Sequence, residues 1–310
     1  MQFWAVITDA FRESRDRKIF WVMILLSVLV AAGMFCFAFE PGKVNILFGM
    51  WVVETPQFTS LGVLRTDRIA AIVVDGIMDT ILGGLGVLLS IIATASFFPT
   101  FLERGSIDVA LSKPMQRWRL FLYRYLSGMV FVSVQAIVFV LLTFLVAGVR
   151  WKVWLPGYVL SIPLVVLLFS YLYCISSLVA VFTRSTVPAV LLTMFAWAGI
   201  TGVQGLDDAF LYITPEWQEN KQAFAAIHTA RWVLPKTQDV TYFAKQWSKA
   251  ANELMFIKAE DVKDQETIEK TRDIEQSRRD LGPVKSIGSS LLFEAAIVLL
   301  AMLKFSRTDY

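Results

Sequence analysis

Long apolar runs alternate with shorter polar segments along the whole chain. A helix that crosses a bilayer core of about 30 Å needs about 20 apolar residues, and six runs meet that requirement. They cover residues 19–39, 80–102, 125–149, 157–183, 185–206 and 286–304. This pattern predicts an all-α polytopic membrane protein with six transmembrane helices, and an even number of spans places both termini on one side.

The distribution of Lys and Arg in the polar segments predicts which side that is, because basic residues beside spans are retained in the cytoplasm. The dense group is Arg12, Arg15, Arg17, Lys18, Arg104, Lys113, Arg117, Arg119, Arg124, Arg184, Lys304 and Arg307. The opposite loops hold Lys43, Arg65, Arg68, Arg150 and Lys152. We therefore expect a multi-pass protein of the cytoplasmic (inner) membrane with both termini, including the tail 305–310, in the cytoplasm.

Two extracytoplasmic insertions follow from this topology. Residues 40–79 contain β-favouring stretches at 44–53 and 69–74, which predict a small strand-containing cap. Residues 207–285 predict a mainly helical segment with amphipathic helices in its first half. Its second half, 258–280, is rich in both signs of charge; this pattern fits a solvated helix, and a docking surface for an extracytoplasmic protein is the alternative.

The N-terminal segment, residues 1–18, carries apolar side chains at helical spacing. These are Phe3, Trp4, Ile7, Ala10 and Phe11, and charged residues occupy the other side. Such a stripe predicts an interfacial elbow helix in the plane of the membrane. The alternative, a charged flank that only orients the first span, explains the charges but leaves the aromatic stripe without a reason.

Composition narrows the function classes. Of 310 residues, 56% are hydrophobic and 18% are charged, and the mean hydropathy is +0.59. The 29 Lys and Arg against 26 Asp and Glu give a net charge of +3, which argues against a nucleic-acid partner. One histidine, His228, and two cysteines in apolar runs, Cys36 and Cys174, argue against a metal site.

The segment between the second and third runs, residues 103–124, carries the most specific pattern. It begins with the sequence ERGSIDVALSKPMQRWR. Gly105 interrupts the helix, Ser106 caps a new one, and Pro114 ends it, which predicts a short cytoplasmic helix. Ile107, Ala110 and Leu111 form its small apolar face. That face is too small for a core of its own, so we expect it to fill a groove in a partner.

This pattern resembles the hallmark of type 2 ABC transporter permeases, in which a glutamate and RG precede a short coupling helix and KP follows it. Residues 11–17, FRESRDR, are similar to the opening of the branch described as permease components of ABC systems for multicopper-enzyme maturation. The closing residues 305–309, FSRTD, resemble the F-x-R-x-D end of that branch. Residues 207–285 are longer than the usual connection before the last span of that family.

The resemblance implies a six-span permease subunit that works as a homodimer or heterodimer with separate ATP-binding subunits, which bind ATP and Mg. The expected function is to couple ATP hydrolysis in those subunits to substrate export or extraction. The residues expected to couple the chain to the ATPase are Glu103, Arg104, Gly105, Ile107, Asp108, Ala110, Leu111 and Pro114. No catalytic residue or cofactor is expected in this chain, because its only Gly-Lys pair, Gly42-Lys43, lacks the pattern of a phosphate-binding loop.

Polar residues inside the apolar runs add two further candidates. Glu294 interrupts the sixth run, and a carboxyl group there should face the bundle interior or be protonated. It is either part of a substrate or gating path or a structural hydrogen-bond partner of a neighbouring span, with Gln135 as one possible partner. Gly86, Ser90 and Thr94 lie four residues apart and predict a face for close helix packing.

Two other function classes are alternatives to a permease. A polytopic membrane hydrolase needs a nucleophile with a base, or paired intramembrane aspartates, and neither pattern is present around His228, Asp75 or Asp79. A non-transporting membrane scaffold would bind a partner protein through residues 207–285. ATPase stimulation in a purified complex distinguishes a permease from such a scaffold.

Overall fold

The structure is a computed structural model that describes residues 18–40, 43–54, 73, 76–103, 116–212, 221–250 and 282–308. The helices in these ranges are α1 (Lys18–Cys36), α2 (Ile77–Gly86), α3 (Val87–Ala95), α4 (Phe97–Phe101), α5 (Arg117–Arg150), α6 (Ser161–Thr183), α7 (Thr186–Tyr212), α8 (Lys221–Val233), α9 (Thr237–Ala250) and α10 (Pro283–Arg307). Short 3-10 helices cover Leu47–Gly49 and Pro156–Leu160. The predicted elbow helix, apart from Lys18, and the charged stretch 258–280 lie outside the described residues.

Six segments of the described chain are long and apolar enough to cross a membrane, which confirms the predicted number of spans. They are Lys18–Cys36, Gly83–Phe101, Arg117–Arg150, Pro156–Thr183, Thr186–Asp207 and Pro283–Arg307. The second span begins inside α2, which is a π-helix, and continues through α3 and α4. Several boundaries differ from the predicted runs, because helices continue through the polar residues that flank an apolar stretch.

The first span ends earlier than predicted, at Cys36, and residues 37–39 belong to a strand instead. Strands β1 (Phe37–Glu40), β2 (Lys43–Ile46) and β3 (Trp51–Glu54) form an antiparallel sheet in the order β1-β2-β3. Phe37 pairs with Ile46, and Ile46 pairs with Trp51. The predicted β-rich stretch 44–53 is thus two strands, which the 3-10 helix separates.

Side chains from the end of α5 hold this helix-to-strand junction. Arg150 Nε donates to the Phe35 carbonyl at 3.2 Å, and Trp151 Nε1 donates to the Phe37 carbonyl at 3.0 Å. Carbonyls at the end of a helix lack intrahelical partners, so these donors satisfy groups that the change from helix to strand leaves open.

α6 lies at the centre of the bundle and contacts α3, α5, α7 and α10, whereas α1 packs mainly on α5. Phe169, Tyr171, Leu172 and Cys174 of α6 are fully buried.

We call the two ends of the bundle the Arg117 face and the sheet face. The Arg117 face holds the start of α5 and the ends of α4, α6 and α10, since Arg117 contacts Thr308 and Lys304 lies over Phe182. The sheet face holds β1–β3, the end of α5, the start of α10, and α8 and α9.

Candidate functional site

The predicted coupling segment is described only at its two edges. Glu103 is exposed and lies two residues after the end of the second span, and Gln116 directly precedes α5. The remaining predicted coupling residues lie outside the described residues; they are Arg104, Gly105, Ile107, Asp108, Ala110, Leu111 and Pro114. The helices on both sides show how the segment is attached to the bundle.

Two arginines of α5 fasten the ends of the second and sixth spans. Arg117 Nη1 donates to the carbonyls of Thr308 at 2.9 Å and Ser306 at 3.5 Å. Arg124 Nε and Nη2 donate to the Phe97 carbonyl at 3.2 and 3.1 Å. A cation at carbonyls near a helix end satisfies open acceptors and the negative end of the helix dipole. Each arginine therefore ties α5 to another span.

Aromatic rings complete this attachment. Phe305 of α10 stacks on Phe101 with ring centroids 6.2 Å apart, and it packs against Phe121 of α5 at 5.9 Å. Phe121 and Phe305 have no exposed surface. We call Phe101, Arg117, Phe121, Arg124 and Phe305 the Arg117 platform. It joins the helices on both sides of the predicted coupling segment to the sixth span.

Glu294, near the middle of α10, accepts hydrogen bonds from two other spans. Tyr125 Oη of α5 donates to Oε1 at 2.9 Å, and Ser170 Oγ of α6 donates to Oε2 at 2.8 Å. Tyr125 also stacks on Tyr173 with ring centroids 4.9 Å apart. Each carboxyl oxygen therefore has one hydroxyl partner, and the group joins three spans inside the bundle.

The suggested pairing of Glu294 with Gln135 does not form. Gln135 Nε2 donates instead to the Phe20 carbonyl of α1 at 3.5 Å, and Oε1 is buried without a partner among the described residues. Gln135 lies ten residues after Tyr125 on α5, a rise of about 15 Å. At that distance, and facing α1, its amide cannot reach Glu294.

A row of polar side chains on α10 continues from Glu294 toward the sheet face. Ser286, Ser290 and Glu294 are four residues apart and thus share one face of the helix. Ser290 Oγ accepts a hydrogen bond from the backbone N–H of Lys236 at 3.0 Å, and Ser286 Oγ donates to Asp239 Oδ2 at 2.8 Å. We call this row and its partners the polar ladder.

Buried charges form the outer end of the polar ladder. Arg231 of α8 forms ion pairs with Asp207 at the end of α7 and with Asp239 of α9, the latter at 3.4 Å. All three side chains are almost fully buried. His228 Nδ1 lies 3.6 Å from Asp207. A buried guanidinium between two carboxylates fixes α7, α8 and α9 together, because loss of any partner leaves a buried charge.

Lys236 adds a second cation to this end. Its side chain is 1% exposed, and Nζ donates to Ser289 Oγ at 2.7 Å and lies 4.4 Å from the centre of the Trp232 ring. Burial lowers the pKa of Lys236 below its ordinary value, and this lowering outweighs the opposing effect of the Asp239 carboxylate. The ammonium therefore holds the α8–α9 connection to the start of α10.

The predicted packing residues lie on the second span. Ser90 and Thr94 are buried, and their hydroxyls donate to the carbonyls of Gly86 and Ser90 in their own helix. A Cβ at Gly86 would lie 2.8 Å from the Ile81 carbonyl oxygen, which is in the π-helix itself. Gly86 therefore serves the unusual backbone of α2. No three His, Cys, Asp or Glu side chains of the described chain lie close enough together to hold a metal ion.

Sequence reasoning missed most of the polar ladder. It singled out Glu294 but assigned no role to Tyr125, Ser170, Asp207, Arg231 or Lys236. One signal was available, namely the spacing of four between Ser286, Ser290 and Glu294 in an apolar helix. The partners on other helices had no comparable local signal, because they depend on how those helices are rotated against α10.

No family model matches the chain, and no curated protein matches it.

Proposed function

We propose that the chain is the transmembrane permease subunit of an ATP-binding-cassette transporter. In this proposal, a separate ATP-binding subunit hydrolyses ATP, and the permease couples that hydrolysis to export or extraction of a substrate. The sequence pattern of residues 103–119 and the six spans support it.

The Arg117 platform is the observation that carries the proposal. Displacement of the short helix that the sequence predicts in the segment 104–115 would be transmitted to Glu103 and Gln116, which flank that segment. Arg117 and Phe121 link the third span to the sixth, and Arg124 links it to the second. A conformational change in a bound ATPase would therefore displace the second, third and sixth spans together. Coupling of ATP hydrolysis to transport requires such a concerted movement.

Glu294 with Tyr125 and Ser170, the Glu294 cluster, is a site inside the bundle that such a motion would alter. Its three hydrogen-bonding residues belong to the third, fourth and sixth spans. If these spans move against one another, the Tyr125 and Ser170 hydroxyls separate from the carboxyl group and leave it open to a polar part of a substrate.

Co-purification tests the proposal. We expect Mg-dependent ATPase activity to co-elute with the tagged chain from its native membranes. The double variant Ile107→Asp/Leu111→Asp should lose it, because burying each apolar side chain contributes about 1.5–3 kcal/mol to docking. The matched control Lys258→Asp/Lys263→Asp adds as many aspartates on the predicted opposite side of the membrane and should keep the activity.

Two results would count against the proposal in different ways. If no ATPase activity co-elutes with the unmodified chain, the permease function is wrong. If the activity co-elutes equally with the Ile107→Asp/Leu111→Asp variant, an ATPase is bound but residues 104–115 do not dock it.

A membrane scaffold without transport is the second candidate. The buried pairs of Arg231 with Asp207 and Asp239 favour it, because they give α8 and α9 a fixed position from which to present a binding surface. A scaffold would bind an extracytoplasmic protein with no ATPase in the purified complex.

A further inference from the structure

A cavity of about 220 Å³ lies among the first four spans, outside the polar ladder, and Val165 of α6 lines it from the fourth span. Its back wall is formed by Val132, Ala136 and Phe139 of α5, all of them buried. Met23, Leu26 and Val30 of α1 form one side. Ile81, Leu85, Leu88 and Leu89 of α2 and α3 form the other. Most of the described wall is thus hydrocarbon.

The two serines in the wall donate their hydroxyl hydrogens to carbonyls of their own helices. Ser27 Oγ donates to the Met23 carbonyl at 2.9 Å, and Ser90 Oγ donates to the Gly86 carbonyl at 2.7 Å. Gln135 donates to the Phe20 carbonyl, and its Oε1 is shielded from solvent. A cavity with such a wall does not hold ordered water, since a water needs several polar partners.

The cavity opens sideways between α1 and the second span. Leu26 and Leu85 line it and are also 39% and 54% exposed on the outside of the bundle. Both belong to segments long and apolar enough to cross a membrane, so the medium at this opening is lipid hydrocarbon. The π-helix α2 forms one edge of the opening, and π-helical turns are frequent at functional sites.

We propose that this cavity binds a single hydrocarbon chain of a membrane lipid, which enters from the bilayer between the first and second spans. A dry apolar cavity of about 150 Å³ is enough to bind a small hydrocarbon, so a volume of about 220 Å³ has room for a segment of one acyl chain. Filling the cavity restores the dispersion contacts that an empty wall lacks. The inference concerns the first four spans and does not depend on an ATPase partner.

Photo-crosslinking in proteoliposomes tests this site. The probe is a phosphatidylcholine with a diazirine in the middle of one acyl chain, and adducts are mapped by mass spectrometry. We expect adducts on the cavity wall at Met23, Ser27 and Val30 of α1 and at Leu88 and Leu89 of the second span. Ala136→Leu fills the back of the cavity and should lower these adducts about tenfold, equivalent to about 1.4 kcal/mol of binding free energy.

Two further variants keep the result interpretable. Ser90→Leu fills the cavity from the second span and should lower the same adducts, so the test does not depend on one variant folding. Ala198→Leu makes the same alanine replacement as Ala136→Leu, at an exposed position on α7, and should leave all adducts unchanged. Adducts at the exposed Leu192 of α7 report ordinary contact with surrounding lipid and should be equal in every variant.

Either of two outcomes would overturn the proposal. If both filling variants keep full labelling of the wall, the label comes from surrounding lipid. If the unmodified protein is labelled at Leu192 but not at the wall, protein covers the opening, either residues 1–17 or a second copy of the chain.

Discussion

At the residue scale, Glu294 shows how a carboxyl group is accommodated among apolar helices. Burying a polar group without partners is costly, and here the Tyr125 and Ser170 hydroxyls supply one hydrogen bond to each carboxyl oxygen. The same three residues also fix the rotation of α5, α6 and α10. A group that would destabilise a single helix thus specifies how three helices meet.

Removing this acceptor should destabilise the protein. We expect Glu294→Leu to lower the free energy of unfolding by about 1–3 kcal/mol, because it removes the acceptor of two hydrogen bonds that join three spans. Glu294→Gln keeps an acceptor and a donor at the same place and should cost less. Denaturant unfolding in detergent micelles measures both, with the exposed position Ala296→Leu as control. Equal stability of Glu294→Leu and the unmodified protein would contradict this role.

Lys236 predicts a dependence of stability on pH. Burial lowers its pKa in the folded protein, so the unfolded chain binds more protons as the pH approaches the ordinary lysine value of 10.5. Stability should therefore rise with pH in the interval between the lowered pKa and 10.5. Unfolding experiments at a series of pH values should show this rise, and Lys236→Met should reduce it. An identical slope in both proteins would show that Lys236 does not contribute.

At the scale of elements, the spacing between α5 and α6 depends on one glycine. A Cβ at Gly128 would lie 2.4 Å from the Tyr173 hydroxyl oxygen and 2.7 Å from the ring carbon that bears it. Tyr173 is held between Tyr125 and Phe169, with ring centroids 4.9 and 5.0 Å away. The ring cannot turn aside cheaply, so Gly128 sets how closely the third and fourth spans approach.

Gly128→Ala should therefore lower the free energy of unfolding by about 1–3 kcal/mol, the usual cost of overpacking a core. Tyr173→Phe should be neutral or stabilising, because it removes a buried hydroxyl that has no partner among the described residues. Thermal unfolding in micelles compares the two. The result would contradict this reasoning if Gly128→Ala were neutral while Tyr173→Phe was destabilising.

Elements differ in how far the sequence predicts them. The six spans followed from apolar runs, because a bilayer requires a minimum apolar length whatever the tertiary contacts. The early end of α1 could not be predicted from the apolar run, because Phe37 and Phe39 fit a membrane helix as well as a strand. The junction is held by Trp151, which is distant in the sequence. The ion pairs of Arg231 were equally unpredictable, because Asp207 belongs to another helix.

At the scale of the whole molecule, α10 connects the two ends of the bundle. At the Arg117 face its last residues are held by Arg117 and Phe121. Near the sheet face Ser286 and Ser290 bind Asp239 and the Lys236 backbone. A displacement of the Arg117 platform would therefore be carried along one helix to α8 and α9. This arrangement suits a protein that transmits motion across a membrane better than one that only anchors a partner.

The direction of such transmission depends on which face is cytoplasmic, and the distribution of Lys and Arg predicts the Arg117 face. Single cysteines at Arg307 and Lys152 test this directly, because both residues are exposed and lie on opposite faces. In a background without Cys36 and Cys174, a membrane-impermeant thiol reagent should label Lys152→Cys in intact cells and Arg307→Cys only after permeabilisation. Cysteines at Lys263 and Ser112 should follow the same division. The reverse pattern would place residues 104–115 outside the cytoplasm, where no ATP-binding subunit could reach them.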